Sequence, residues 1–280
     1  MAYLDYNGLS RFKDKVFQVL LSKFSNPNLL INSNFAINQR GASSYTASNV
    51  YTVDRWKKGS GTVTVNSNYL TLSVGCDISQ YFEATPFADQ TLTATINVNG
   101  TLVSKSFTFV STNSNTVIQL FANGWRLEYS GGSKYFRIVN VSGSASDKLY
   151  WSKLEIGDIS TIYNPPAMAE ELTKCQRYYQ VIKGYTAIAT GMTTSTTDFR
   201  VPLILTNEMR VHPTATLANG YLFGGDQYWN FVNLSSATFD GQSNNAIQII
   251  GTLSTAVSAW STYMLILDIN GYLEFDAEIY

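Results

Sequence analysis

Between Asn28 and about Pro165 the chain breaks into short runs rich in β-branched and aromatic residues: GTVTV, YLTLSV, TLTATINV, LVSKSFTFV, TVIQLF, WRLEY, KYFRIV and LYWSKLEI, separated by turn residues. Successive side chains of a strand point to opposite faces, so runs of this length are stable only when paired and buried on one side. Many short strands at regular spacing predict an antiparallel β-sandwich or jelly roll over residues 28–165. Asn99-Gly100 joins two alternating runs and is the best hairpin signal in this half.

Two segments depart from this period. LSRFKDKVFQVLLSKF, residues 9–24, places Leu9, Phe12, Val16, Leu20 and Phe24 at helical spacing, an amphipathic helix within an N-terminal segment 1–27. Its wide apolar face wants a partner, and self-association is the simplest source. NPPAMAEELTKCQRYYQ predicts a connector helix over 166–179, with Pro165 and Pro166 at its start, acidic residues early and Lys174 and Arg177 late. Strands resume beyond it, which makes 180–280 a distal antiparallel β-sandwich. There MLILDI and YLEFDAEI flank Asn270-Gly271 and predict a type I′ hairpin closing the protein.

Composition narrows the function. Charged residues are 14% of the 280 and the formal net charge is −1, so solubility rests on neutral polar side chains. Lys and Arg do not cluster as phosphate neutralisation requires, which argues against nucleic acid. No apolar run approaches the ~20 residues of a membrane helix. Cys76 and Cys175 lie far apart with no CxxC or Cys/His cluster, so a metal-thiolate site is excluded and no cofactor is implied. MAYLDYNGLS lacks the features of a secretory signal, and the expectation is folding in a cytoplasm.

Catalytic readings are thin. His212, the one histidine, precedes Pro213 in a turn-like VHP, and no serine sits in a GxSxG elbow. Paired carboxylates such as Asp226 with Asp240, or Glu83 with Asp89, would suffice for a glycosidase, though convergence across a cleft is not encoded locally. The expectation is therefore no enzyme. Trp56 in YTVDRW reads as core with Asp54 and Arg55 hydrogen-bonded or paired at its edge, and Trp125 and Trp151 also read as core.

The stronger chemical signal runs from Val211 to Leu267, where only Asp226 and Asp240 are charged among many rings, amides and hydroxyls. Sugars offer apolar C–H faces and hydroxyls, which suit aromatic platforms flanked by amides. Half or more of these rings are nonetheless expected in the core. Within LANGYLFGGDQYWNFVN, Gly220, Gly224 and Gly225 are expected to interrupt any strand and leave exposed loops. The candidate ligand-binding residues are Tyr221, Asp226, Gln227, Tyr228 and Asn230, with Trp229 assigned to the core.

The segments NLLINSNFAINQRG, YTVDRW, LYWSKLEIGDISTIYNPP and AEELTKCQRYYQ, in that order, resemble the carbohydrate-binding-module-like region of bacteriophage and prophage tail fibre or receptor-binding proteins. VPLILTNEMRVHPTATL and the terminal DAEIY resemble the distal domain that often follows there. The resemblance implies a homotrimeric virion tail protein that attaches to a bacterial cell-surface glycan without cleaving it and meets other tail proteins through its N-terminal helix. It casts the polar opening NSNFAINQR as the first strand and loop of a jelly roll, its Asn and Arg fixing loops. Related modules often hold calcium near their first and last strands. Here amides stand where acidic ligands are expected, and only Glu155 and Asp158 could help, so no metal is expected. The alternatives are a glycan-cleaving tail enzyme and a purely structural tail or baseplate component.

Overall fold

The computed structural model describes residues 6–21, 24–224, 230–241 and 243–280. The chain is mainly β and divides into two compact units, Met1–Glu171 and Leu172–Tyr280. Helix α1, Tyr6–Leu21, leads the first unit, and its Leu9, Phe12 and Val16 are exposed.

Twelve strands follow. They are β1 (Ser44–Tyr45), β2 (Val50–Tyr51), β3 (Lys57–Lys58), β4 (Val63–Val65), β5 (Leu70–Leu72), β6 (Asp77–Tyr81), β7 (Thr91–Val98), β8 (Thr101–Thr108), β9 (Thr116–Leu120), β10 (Trp125–Ser130), β11 (Tyr135–Asn140) and β12 (Leu149–Ile156). They form two six-stranded antiparallel sheets, ordered β1-β4-β5-β12-β7-β8 and β2-β3-β6-β11-β10-β9. Alternation decides what lies between them. Leu70, Leu72, Leu92, Ala94, Ile96 and Leu154 of one sheet share an apolar core with Ile78, Trp125, Leu127, Phe136 and Ile138 of the other. Trp56 is fully buried in that core, edge-on to Phe35 at 5.3 Å.

The β7–β8 turn forms as its sequence requires. Val98 pairs with Thr101, and Asn99 and Gly100 take φ values of 53° and 82°, both positive as a type I′ turn demands. The Asn99 side chain fastens the turn, donating to Asp147 and accepting the Lys148 N–H.

Helix α2, Met168–Gln176, spans the division between the units. The second unit holds β13 (Tyr179–Lys183), β14 (Thr186–Thr193), β15 (Asp198–Ile204), β16 (Thr214–Gly224), β17 (Asn230–Asp240), β18 (Ala246–Leu253) and β19 (Thr262–Asp276). The expected distal sandwich is corrected here. Six strands pair in the circuit β14-β15-β18-β17-β16-β19 and back to β14, a closed barrel, with β13 added along the second half of β19. Phe199, Val201, Leu222, Ile249, Leu265, Leu267, Leu273 and Phe275 fill its interior. Closure pairs every barrel strand on both sides and so removes the exposed edges that an open sheet would leave.

The C-terminal hairpin is corrected as well. β19 runs straight past Asn270-Gly271, because β16 pairs with both of its halves: Ala218 lies opposite Tyr272 and Gly220 opposite Leu267. Residues 268–271 are an insertion in one strand rather than a reversal. A Cβ on Gly271 would sit 2.8 Å from the Asn219 carbonyl oxygen and the Asp268 nitrogen, so glycine is needed there for close backbone approach. Asn219, at φ 52°, takes the matching irregularity on β16. The expected break at Gly220 is thus a bulge inside a continuous strand.

Candidate functional site

The two polar segments singled out by composition end up in opposite settings. In the first, Asn32 is fully buried, and its side-chain NH2 donates to the carbonyls of Ile37 at 2.8 Å and Asp54 at 2.9 Å. Its Oδ1 accepts the Ile37 N–H, its carbonyl accepts the Trp56 indole N–H, and its backbone N–H donates to Glu171. Asp54 is equally buried, accepting from the Gln39 backbone and side chain, with Arg40 Nη1 3.6 Å away. Arg55 Nη2 donates to the Tyr81 carbonyl at 2.6 Å. Asn32 and Asp54 are thereby bonded to one another and to the surrounding backbone, as buried polar groups must be. They hold a loop against the core through these bonds.

The far end of the same unit is closed in the same way. Glu155, fully buried, lies 3.1 Å from Lys153 Nζ and accepts from the Thr161 N–H and hydroxyl. Its lone pairs are thereby engaged within the fold. Among the described residues no group of three or more His, Cys, Asp or Glu could hold a metal ion. Trp151 stacks on Tyr163 at 4.3 Å, and the Tyr163 hydroxyl reaches Ser33. Burial raises the Tyr163 pKa, against the lowering effect of that bond. Burial likewise pushes the Cys76 thiol up to about 12, so it is a core residue rather than a nucleophile. A polar cleft of about 420 Å³ lies beside the β7–β8 turn, but its Asp147 is taken up by Asn99, the Trp125 indole and the Ser144 N–H.

The barrel presents the contrasting arrangement. On its outer surface a groove of about 530 Å³ is lined by Leu217, Asn219, Gly220 and Tyr221 of β16, Asn233 to Ala237 of β17, and Asp268 of β19. Parity and register build it. Leu222 and Val232 point into the core, so Tyr221 and Asn233, paired across β16 and β17, face outward together. The bulges at Ala218/Gly220 and Leu234/Ser236 bend both strands at this place and open the depression.

A row of rings borders it. Tyr221 meets Phe231 edge-on at 5.2 Å and shares a hydroxyl hydrogen bond with Tyr185. Phe231 is 59% exposed and Tyr185 68%. Loss of solvent, that bond and the Asp268 charge push the Tyr221 phenol up to about 12, so it remains a neutral hydroxyl throughout the physiological range. Amides, hydroxyls, one carboxylate and adjacent ring faces can receive a ligand that mixes hydroxyl groups with apolar C–H surface.

Of the candidate residues, Tyr221 lies in this groove. Asp226, Gln227 and Tyr228, with Trp229, fall outside the described residues, and Asn230 is described by its backbone alone, opposite Gly224 at the start of β17. Among the other rings of the segment, Tyr263 is buried, Phe239 packs on the core and Trp260 is 72% exposed. Asn219, Asn233, Ser235, Asp268 and Tyr185 were not anticipated. Their signal was pairing register across three strands, which no local window carries. His212 is exposed and stands apart from the groove lining.

Fold and site together define a mainly β chain in which two antiparallel sheets around one core precede a closed barrel with an open, aromatic-rimmed polar groove. Comparison with protein-family models, curated proteins and solved structures finds no match to this chain. No described helix is long and apolar enough to cross a membrane.

Proposed function

We propose that this chain is a receptor-binding protein of a phage or prophage tail, attaching the virion to a bacterial-surface glycan through the groove on its barrel. The observation that carries the reading is the juxtaposition of Tyr185, Tyr221 and Phe231 with Asn219, Asn233, Ser235 and Asp268. Exposed rings beside amides and hydroxyls match the two chemical faces of a sugar. The ordered resemblance of residues 28–217 to tail receptor-binding proteins supports the same conclusion. On this reading the two-sheet unit is a jelly roll of the carbohydrate-binding-module kind. The exposed Leu9, Phe12 and Val16 of α1 are then the seam of a homotrimer and the point of attachment to other tail proteins.

Binding without cleavage is favoured because Asp268 is the one carboxylate lining the groove among the described residues, and two-carboxylate hydrolysis needs a pair. The test is an array of purified bacterial surface polysaccharides. Retention of the parent protein, a several-fold loss for Tyr221→Ala and no new reducing ends are expected. Undiminished retention of a folded Tyr221→Ala protein would move the site elsewhere, and released reducing ends would make the protein an enzyme. Light scattering at micromolar concentration checks the trimer, which a monomer would exclude.

A further inference from the structure

Resting on the glycan-binding reading, we propose that the barrel groove selects sugars bearing a free ammonium group over carboxylated or phosphorylated ones. The amides of Asn219 and Asn233 and the hydroxyls of Ser235 and Tyr221 offer donors and acceptors that any sugar can use. They do not sort ligands by charge. Asp268 does. It is exposed, it is the one charged side chain among the described residues lining the groove, and no Lys or Arg accompanies it there.

The Asp268 Oδ1 accepts the neighbouring Ile269 N–H at 2.6 Å, which fixes the carboxylate on the chain while the side chain remains accessible. A uronate or phosphate entering the groove would meet like charge with no guanidinium or ammonium to offset it, whereas anion sites are built from such donors. An ammonium on the sugar would gain a charge-assisted hydrogen bond instead. The surroundings act in the same direction, since residues 181–280 hold 3 Lys and Arg against 8 Asp and Glu. That excess adds a long-range field attracting cations and repelling anions.

Four immobilised probes test this at pH 6 in low salt: a glucosamine tetramer, its N-acetylated form, tetragalacturonate and a neutral mannose tetramer. The full-length protein should bind the glucosamine tetramer about threefold to tenfold more strongly than the N-acetylated form, and tetragalacturonate least. Asp268→Asn, verified as folded by its melting curve, should abolish that preference, bringing the glucosamine tetramer and its N-acetylated form to within about twofold of each other. Raising NaCl to 0.5 M should shrink the preference, because an exposed charge is screened. Tetragalacturonate binding as strongly as the glucosamine tetramer, or a preference that survives Asp268→Asn, would overturn the inference alone. Binding of the parent to none of the four would count against the glycan reading beneath it.

Discussion

Residues 28–56 and 217–237 are alike on paper and opposite in space. Both mix Asn and Ser with aromatic residues and carry little charge. In the first, the polar side chains turn inward: Asn32, Asp54 and Arg55 are buried and bonded to carbonyls, N–H groups and one another. In the second, strand parity sends the apolar residues Leu222 and Val232 inward, and Tyr221, Asn233 and Ser235 line an open groove. Polar composition therefore does not mark a binding surface. What separates structural from functional polarity is whether the chain supplies the partners.

The largest expected effect breaks the closed region. Asn32→Ala would leave the Asp54 carbonyl and the Ile37 N–H unpaired in the interior and take from the Ile37 carbonyl one of its two donors, the Asp54 N–H remaining. At ~1–3 kcal/mol for each of the two buried groups left unsatisfied, offset in part by relaxation and water entry, a loss of about 2–4 kcal/mol is expected. Calorimetry should show a transition of the first unit falling while glycan binding by the surviving fold persists. A change below about 1 kcal/mol would mean that the loop is not held as described.

Next in size is Gly271→Ala. The new methyl would press on backbone atoms of β16 and β19 that cannot withdraw as a flexible side chain could. A loss of about 1–3 kcal/mol is expected from such overpacking. Unchanged melting would contradict the continuous β19 and favour a reversal of the chain at Asn270-Gly271.

How far the fold could be read from the sequence follows the range of the interactions. The Asn99-Gly100 turn, the burial of Trp56 and Trp125 and the helix at Met168–Gln176 each rest on neighbours in sequence, and each formed as expected. Barrel closure was not legible, because it depends on β16 finding both halves of β19, partners as far apart in the chain as Gly224 and Tyr263 or Thr214 and Asp276. The same cause hid the site. Tyr221 could be picked as a ring in a polar run, but Asp268 and Tyr185 join it only through strand pairing. Gly220 and Asn270-Gly271 were misleading for a related reason. The residues that form turns also form bulges, and the pairing partner decides between them.

In the open region substitutions should separate affinity from stability. Tyr221→Ala removes a partly buried ring on the outer face of the barrel, so its stability cost should stay at about 1 kcal/mol or less, while glycan affinity falls by roughly 1 kcal/mol per site, about fivefold. In a trimer avidity would magnify the loss on a surface. A large stability cost with unchanged affinity would place Tyr221 among structural residues and erase the contrast.

The smallest effect at neutral pH concerns Cys76. Burial raises its thiol from 9.0 to about 12, so the neutral form is favoured in the fold. The stability this lends is fully present below about pH 9 and is lost as pH rises towards 12. Alkylation by iodoacetamide at pH 8 should proceed only after unfolding, and rapid labelling of the native protein would contradict a closed core.

The contrast itself is tested most directly by hydrogen exchange measured with and without a saturating glycan taken from the array. Peptides covering 217–224, 231–237 and 262–272 should exchange more slowly when the glycan is bound, while those covering 28–58 should already be slow and stay unchanged. Protection appearing in 28–58 and absent from the barrel peptides would contradict the assignment of the open groove as the receptor site.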